Sequence, residues 1–208
     1  MKTEIIEAGR WVIKTGLTWG TSGNISMKQG DCVYITASGT RLGELEPEGI
    51  LVCDLQGTVI EGTGKPSKET GMHLEVYRNR PEITAVIHTS PFYTTMCACS
   101  DIGVRTNLFI ESMYYCENMV KIPYHHAGSR ELAEAVSAAC RDSHVILMGN
   151  HGVLVYEKQM TECRTALEIT EAVCKMNVLA GNGCLPLAEV PAETAADFLN
   201  GGYFKARR

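Results

Sequence analysis

The sequence has no excess of basic residues. Its 208 residues include 19 Lys and Arg against 24 Asp and Glu, which gives a net charge of −5 and an isoelectric point of about 5.7. Domains that bind nucleic acid normally carry a basic surface. We therefore expect no nucleic-acid partner.

Long apolar runs are also missing, since no stretch approaches the roughly 18 residues of a membrane span. The first residues, MKTEIIEAGRW, place acidic side chains where a secretory signal would have its apolar core. We expect no signal, no membrane partner and a cytoplasmic protein. With 45% apolar and 21% charged residues, the composition is typical of one globular domain, which we expect to span residues 1–208.

The regular cysteine spacing of a disulfide framework is missing as well. The nine cysteines are scattered and mostly lie in apolar stretches such as LVCDL and SAACRD, where free cysteine packs as a small hydrophobic residue. This pattern indicates a reducing compartment. Cys97 and Cys99 form a C-x-C pair, but no second pair at zinc-finger spacing accompanies them, so packing is the favoured interpretation.

The order of predicted elements indicates an α/β fold. A helix is predicted at 67–80, with Ser67 as its N-cap, Glu69 in its first turn and Pro81 beyond its end. Two later helices are predicted to begin at caps Ser129 and Thr161. The other predicted helices are 2–17, 91–100 and a short one after Pro191; the predicted strands are 32–36, 50–54, 58–62, 84–89, 144–148 and 152–156.

The connection between 50–54 and 58–62 has the length and the Gln-Gly turn of a hairpin. A hairpin joins antiparallel strands, whereas a regular βαβ chain would give a parallel sheet. We therefore predict a three-layer α/β/α sandwich with a central, largely antiparallel sheet.

Three short turns share small and hydroxylated residues: GTSGN at 20–24, TASGT at 36–40 and GKPSKE at 64–69. Such turns expose backbone N–H groups and, like helix N-termini, can bind phosphate. Lys68 adds a positive charge beside Ser67. Each turn alone is typical of an ordinary loop, and Ser67 of an ordinary helix cap. Three of them before one group of ionisable residues strengthen the case for an anion site, while ordinary turns remain the default interpretation.

A histidine ends the predicted strand at 84–89, in the stretch VIHTSPFYTT. Side chains two residues apart on a strand point to the same side, so a His-x-His sequence there would aim two imidazoles at one point. Metal sites require that convergence. This sequence has His88 and Ser90 instead.

Each of the other ionisable candidates also has a structural interpretation. Glu69 is typical of an acidic residue at a helix start, and His73, one turn later, is expected to pack or hydrogen-bond. His88 could simply end a strand, and His151 in MGNHGV could be an ordinary turn residue. The histidines at 125–126 are expected to be loop residues.

Taken in order, five stretches resemble the class II aldolase/adducin family, from about residue 6 to residue 180. They are GLTWGTSGNIS, YITASGT, GKPSKETGMHLEVYRNRPEITAVIHT, IPYHHAGSRELAEAV and LMGNHGVLVY. The resemblance implies that the small-residue loops hold a substrate phosphate, with Lys68 adding charge beside them. The implied phosphate-binding residues are Gly23, Asn24, Ser38, Gly39 and Ser67.

The same resemblance implies a divalent metal, usually zinc, held by two strand histidines and one turn histidine. Glu69 would contact that metal and serve as general acid/base. His88 and His151 match two of the histidines, but Ser90 stands at the third, and a serine hydroxyl is a poor zinc ligand. Three explanations remain open: water completes the metal shell, Cys97 or Cys99 substitutes, or the metal is lost.

A tyrosine of a neighbouring subunit serves as proton donor in aldolases of the family. The ungapped position in this sequence is Phe109, and using Tyr114 or Tyr115 would require a shift. We therefore assign that role to no residue of this chain.

The resemblance implies a homotetrameric, metal-dependent lyase. Its substrate would be a ketose 1-phosphate, cleaved between C3 and C4 to dihydroxyacetone phosphate and an aldehyde. The 4-epimerase branch has Asp at the position of Glu69, which favours the aldolase. A decarboxylase or dehydratase of the family, or a non-catalytic assembly module like that of adducin, remains an alternative.

Overall fold

A computed structural model of the protein describes residues 1–181 and 186–204. The helices are α1 (Lys2–Lys14), α2 (Thr70–Asn79), α3 (Phe92–Ala98), α4 (Ile110–Tyr115), α5 (Arg130–Ala139), α6 (Met160–Gly181) and α7 (Ala192–Asn200). The strands are β1 (Asn24–Gln29), β2 (Cys32–Thr36), β3 (Ile50–Cys53), β4 (Val59–Glu61), β5 (Ala85–Thr89), β6 (Val120–Ile122), β7 (Val145–Met148) and β8 (Gly152–Glu157).

The strands form one sheet in the order β4-β3-β2-β1-β5-β8-β7-β6. Neighbouring strands are antiparallel, with the exception of β6 and β7. The largely antiparallel sheet is thus confirmed, and β3 and β4 form the predicted hairpin. Strand β5, which carries His88, lies between β1 and β8 near the middle of the sheet.

Both faces of the sheet are covered by helices. Ala85 and Ile87 of β5 belong to a core that includes residues of α1, α3, α4 and α6. Val86, between them, belongs to a second core that includes residues of α2 and α5. Successive strand residues point to opposite faces, so the two cores make three layers. The predicted α/β/α sandwich is confirmed.

Two predicted helix starts are wrong. Helix α2 begins at Thr70 with Glu69 as its N-cap, so Glu69 precedes the first turn. The Ser67 hydroxyl accepts the backbone N–H of Glu69 at 3.3 Å and shapes the approach to the helix rather than capping it. Helix α6 begins at Met160, which is buried in the core, and Thr161 therefore lies inside the helix. The Ser129 cap of α5 is as predicted.

The sequence did not predict β1, α4 or β6. Strand β1 escapes detection because Asn24 and Ser26, both polar, are buried and interrupt the apolar pattern that marks a strand. This polar strand lies directly beside β5. The buried polar residues of β1 are explained by the candidate active site, which lies beside this strand.

None of the helices in residues 1–181 and 186–204 combines the length and the apolar character that crossing a bilayer would require.

Candidate active site

Two strands and a tight turn bring His88 and His151 together. His88 lies in β5 opposite Leu154 of β8, and His151 precedes β8 in the turn from β7. This turn presses against β5: a Cβ at Gly152, where φ is 154°, would come within 2.5 Å of the Thr89 carbonyl oxygen. Glycine permits that approach, and the two imidazole centroids lie 4.8 Å apart.

Glu69 reaches the same point from the start of α2. Its Oε1 lies 2.9 Å from Nε2 of His151, and its Oε2 lies 3.3 Å from Nε2 of His88. One ligand atom from each residue lies within 4.8 Å of the others. Within 1–181 and 186–204, this is the group of His, Cys, Asp or Glu residues whose geometry could hold a metal ion.

The hydrogen bonds of His88 fix its tautomer. Burial lowers the pKa of His88 and so disfavours the charged form of its imidazole. Its Nδ1 lies 2.9 Å from the Val153 carbonyl oxygen, which can only accept, and therefore carries the proton. Nε2 then presents a lone pair toward Oε2 of Glu69. A lone pair cannot donate to a carboxylate, so the contact calls for a cation between the two atoms.

The other oxygen of Glu69 supports the same conclusion. Oε1 is buried and makes no hydrogen bond, since its 2.9 Å contact with His151 lacks hydrogen-bond geometry. Buried polar atoms without a partner are rare in proteins. One carboxylate and two imidazole nitrogens, with an open position for water, form an ordinary catalytic zinc shell. The three side chains therefore fit a divalent metal.

The Glu69 carboxyl is strongly acidic for a buried group. Burial by itself disfavours the charged form, but His88, His151 and the hydrogen bond from Asn24 outweigh it and lower the pKa of Glu69 to about 2. An ionised carboxylate can bind a metal or accept a proton. Glu69 is thus in the form that metal binding and the general-base half of its expected role require.

The nine residues predicted to form the site line one pocket of about 340 Å³. Gly23 has a φ of 95°, and a Cβ at this position would lie 2.7 Å from the His88 carbonyl oxygen. The glycine therefore lets the first loop lie against β5, beside His88. These nine residues are Gly23, Asn24, Ser38, Gly39, Ser67, Lys68, Glu69, His88 and His151.

Asn24 differs from the other loop residues because its amide is already paired. Its Nδ2 donates to Oε2 of Glu69 at 2.8 Å, and its Oδ1 lies 2.6 Å from Nε2 of His73. Asn24 thus holds the carboxylate, a contact that the sequence did not predict. His73 is fully buried and hydrogen-bonded, as expected from its place one turn after Glu69.

The Ser90 hydroxyl is engaged in hydrogen bonds and is not part of the group that could hold a metal. It lies 2.8 Å from the hydroxyl of Ser22 and donates to the His151 carbonyl oxygen at 3.3 Å. Neither cysteine offered as a substitute belongs to the metal-binding group. Cys97 is buried in the core with its thiol toward the Cys174 carbonyl oxygen, and Cys99 is exposed.

The aromatic residues considered as proton donors, and the loop histidine His126, lie outside the group formed by Glu69, His88 and His151. Phe109 precedes α4 as its N-cap residue, while Tyr114 and Tyr115 are buried in the core. His126 is exposed in a loop, where its Nδ1 lies 3.0 Å from the Tyr124 hydroxyl.

The buried His73 predicts a loss of stability in acid for the metal-free protein. Complete burial lowers the pKa of His73 from 6.5 to about 3. At pH values between the two pKa values, His73 is protonated in the unfolded chain but not in the folded chain. The free energy of unfolding therefore falls as the pH drops below 6.5. We expect His73 to contribute a loss of about 2 kcal/mol between pH 6.5 and 5, since one pKa unit corresponds to about 1.4 kcal/mol.

Urea unfolding at several pH values checks this expectation. The lowered pKa of Glu69 acts only in stronger acid, because its stabilising effect is full above about 4.5 and is lost as the pH falls toward 2. His73→Gln removes the titrating group and should flatten the slope between pH 6.5 and 5. An unchanged slope in that variant would contradict the account.

Comparisons with known proteins agree with this geometry. Residues 3–178 match the family described as "Class II Aldolase and Adducin N-terminal domain". The chain belongs to the class II aldolase and adducin family. A relative named L-fuculose phosphate aldolase, from Methanococcus maripaludis, is 35% identical over 180 residues, covering 86% of this chain and 97% of its own.

Other members of the class II aldolase and adducin family show how the reaction varies. A relative named 3-oxo-tetronate 4-phosphate decarboxylase, from Haemophilus influenzae, is 33% identical over 181 residues, covering 84% of this chain and 85% of its own. The solved structure of an L-fuculose 1-phosphate aldolase superposes with a TM-score of 0.90 at 30% identity, covering 98% of this chain and 96% of its own. The predicted family, fold and enzyme type are confirmed.

Proposed function

We propose that this protein is a metal-dependent aldolase that cleaves a ketose 1-phosphate to dihydroxyacetone phosphate and an aldehyde. The observation that carries the proposal is one pocket in which Glu69, His88 and His151 converge beside the small-residue loops. We extend the proposal to residues 1–208 as one domain and to zinc as the metal. The L-fuculose phosphate aldolases among the relatives support a sugar 1-phosphate as substrate.

The three converging side chains would hold the metal. A divalent ion bound there supplies Lewis-acid stabilisation of the negative charge that develops at the carbonyl oxygen as the C3–C4 bond breaks. In cleavage the C4 hydroxyl loses a proton as C4 becomes the aldehyde, and C3 gains one; the ionised, buried Glu69 carboxylate would take up a proton and then deliver it to C3. His88 is held in one orientation by its hydrogen bond to Val153, which keeps Nε2 directed at the reacting region.

The loops would hold the phosphate at a fixed distance from these groups. Gly23 and Gly39 have positive φ values of 95° and 79°, a conformation that turns backbone N–H groups outward in anion-binding nests. Ser38 and Ser67 add hydroxyls, and the exposed Lys68 adds charge. Their contribution is orientation of the substrate rather than bond-breaking chemistry.

The second candidate is a sugar-acid phosphate decarboxylase. It is favoured by the relative named 3-oxo-tetronate 4-phosphate decarboxylase and by Ser90, which reduces the histidine ligands of the site to two. Loss of a carboxylate from a 3-oxo acid also leaves a carbanion beside a carbonyl group, which the same site would stabilise. The retained Glu69, His88 and His151 disfavour a non-catalytic module, which has no need of three converging ionisable groups.

Incubation with substrates of both types tests the proposal. Zinc-loaded protein is given a panel of ketose 1-phosphates and, separately, 3-oxo acid phosphates. We expect dihydroxyacetone phosphate from the first group, measured by a coupled reduction, and no carbon dioxide from the second. Carbon dioxide release without dihydroxyacetone phosphate would replace the aldolase by the decarboxylase.

Ser90→His should restore the missing metal ligand and tighten zinc binding by at least about 10-fold, since ligand number and geometry set metal affinity. Ser90 lines the same pocket as both histidines. Zinc dissociation constants measured by competition with a chromophoric chelator check this. Ser90→Asn adds bulk without imidazole and serves as the control; equal affinities in the two variants would mean that position 90 is not directed at the metal.

We also propose a homotetramer. Helices α3 and α6 pack against each other, and each leaves apolar side chains exposed, Phe92 and Met96 on α3 and Met176 and Leu179 on α6. Exposed apolar groups of this kind are common at interfaces between subunits. Light scattering at micromolar concentration should give four times the mass of the chain, and a monomer there would refute the proposal.

A further inference from the structure

A row of buried polar groups leads from Glu69 into the layer between β1 and α2. It consists of Asn24, His73, Ser26 and Tyr77, which are 5%, 0%, 0% and 1% exposed. Neighbouring members lie within hydrogen-bond distance, at 2.6 Å between Asn24 Oδ1 and His73 Nε2 and at 2.7 Å at each of the two contacts of the Ser26 hydroxyl. Each of these buried groups has a hydrogen-bond partner, which offsets the cost of removing it from water, and the row ends at the Glu69 carboxylate.

The direction of every hydrogen bond in this row follows from the carboxylate. Ionised Glu69 can only accept, so Asn24 must donate through Nδ2 and present Oδ1 to His73. His73 Nε2 must then carry a proton. Burial lowers the pKa of His73 to about 3, so the ring is neutral and Nδ1 is an acceptor.

The remaining two groups continue in the same direction. Ser26 has one hydroxyl proton, which must go to Nδ1 of His73. The Ser26 oxygen is then left to accept from the Tyr77 hydroxyl. All four hydrogen bonds thus point their donors toward Glu69, and hydrogen bonds aligned in this way strengthen one another.

We propose that His73 is a positioning residue, which through Asn24 fixes the Glu69 carboxylate toward His88 and His151, with Ser26 and Tyr77 fixing the proton on His73 Nε2. The side chain of Glu69 does not cap its own helix, and Asn24 donates to it from outside the metal-binding group. Without His73, the Asn24 amide would be free to rotate and could turn its oxygen toward the carboxylate. The inference rests on the proposed function only in treating Glu69 as a metal ligand.

Two amide variants separate positioning from general stability. In His73→Gln the amide nitrogen can reach the place of Nε2 and still donate to Asn24. In His73→Asn the amide ends near the place of Nδ1 and cannot. We expect the zinc dissociation constant to rise by about 10–100-fold in His73→Asn, the usual effect of losing a partner behind a metal ligand, and to be restored to within a few-fold of wild type in His73→Gln.

His144→Asn is the matched control, because His144 is also buried and hydrogen-bonded, with Nε2 3.1 Å from Nη2 of Arg80. It should lower stability without changing zinc affinity. Unchanged zinc affinity in folded His73→Asn, or equal losses in His73→Asn and His73→Gln, would overturn the positioning role.

The tautomer of His73 in wild-type protein provides a test that needs no variant. Nitrogen-15 spectra of the metal-free protein should show a neutral ring protonated at Nε2, and protonation at Nδ1 would overturn the proposed direction. Wild-type protein that binds zinc but cleaves no substrate would refute the aldolase and leave the role of His73 supported. If wild-type protein bound no zinc, both the aldolase proposal and the positioning role of His73 would be refuted.

Discussion

Glu69→Gln is expected to leave the protein folded and to lower turnover by about 10²–10⁴-fold, the usual contribution of a general acid or base. Gln keeps the shape of the side chain and an oxygen that can accept the hydrogen bond from Asn24. It lacks the titratable group and the second anionic oxygen at the metal. Cleavage of a ketose 1-phosphate by zinc-saturated protein measures the effect.

Glu157→Gln is the matched control for this variant. Glu157 is also buried and lies beside a histidine, with Oε1 3.0 Å from Nδ1 of His144. It pairs with Ala85 at the end of β5 opposite to His88. The control should retain its turnover. If Glu69→Gln were as active as the control, Glu69 would be an ordinary residue at a helix start and the proposed mechanism would fail.

His151→Ala should weaken zinc binding by at least about 100-fold, more than the 10–100-fold typical of losing a group behind a ligand. Only Glu69 and His88 would then hold the metal, and two protein ligands form an incomplete zinc site. The fold should survive, because His151 lies in a turn and is partly exposed. Zinc content after dialysis and the dissociation constant from chelator competition measure the loss.

His126→Ala provides the comparison for this second variant. His126 is an exposed loop histidine whose hydrogen bond is with the neighbouring Tyr124. Its removal should not change zinc affinity. Similar affinities for His151→Ala and wild type would show that zinc binds elsewhere in the chain.

Much of the fold could be predicted because apolar patterns and turn residues marked its elements. The β3–β4 hairpin was recognisable from its Gln-Gly turn, and α5 from Ser129, whose side chain accepts the N–H of Leu132. The start of α2 was misplaced because Ser67 looks like a cap. Its hydroxyl instead accepts the backbone N–H of Glu69 in the turn that places Glu69 at the N-terminus of α2.

Part of the site could be predicted from the sequence for a different reason. Histidine and acidic residues stand out in a sequence, and the resemblance placed them in order, so Glu69, His88 and His151 could be named. The groups that hold them could not. Strand β1 has two buried polar residues, Asn24 and Ser26, whose partners lie 45 to 51 positions away in the chain. Contacts at that separation leave no periodic signal, and they made the strand itself look like a loop.

Proton exchange on dihydroxyacetone phosphate tests the central claim most directly, because it isolates the carbanion step and requires no choice of aldehyde. Zinc-loaded wild-type protein is incubated with dihydroxyacetone phosphate in deuterium oxide. The protons of its hydroxymethyl carbon, which is C3 of the ketose 1-phosphate, are followed by NMR. The account predicts loss of a C3 proton signal, abolished by a chelator, restored by zinc and slowed by about 10²–10⁴-fold in Glu69→Gln. Absence of exchange in zinc-loaded wild-type protein, or exchange equally fast in Glu69→Gln, would contradict it.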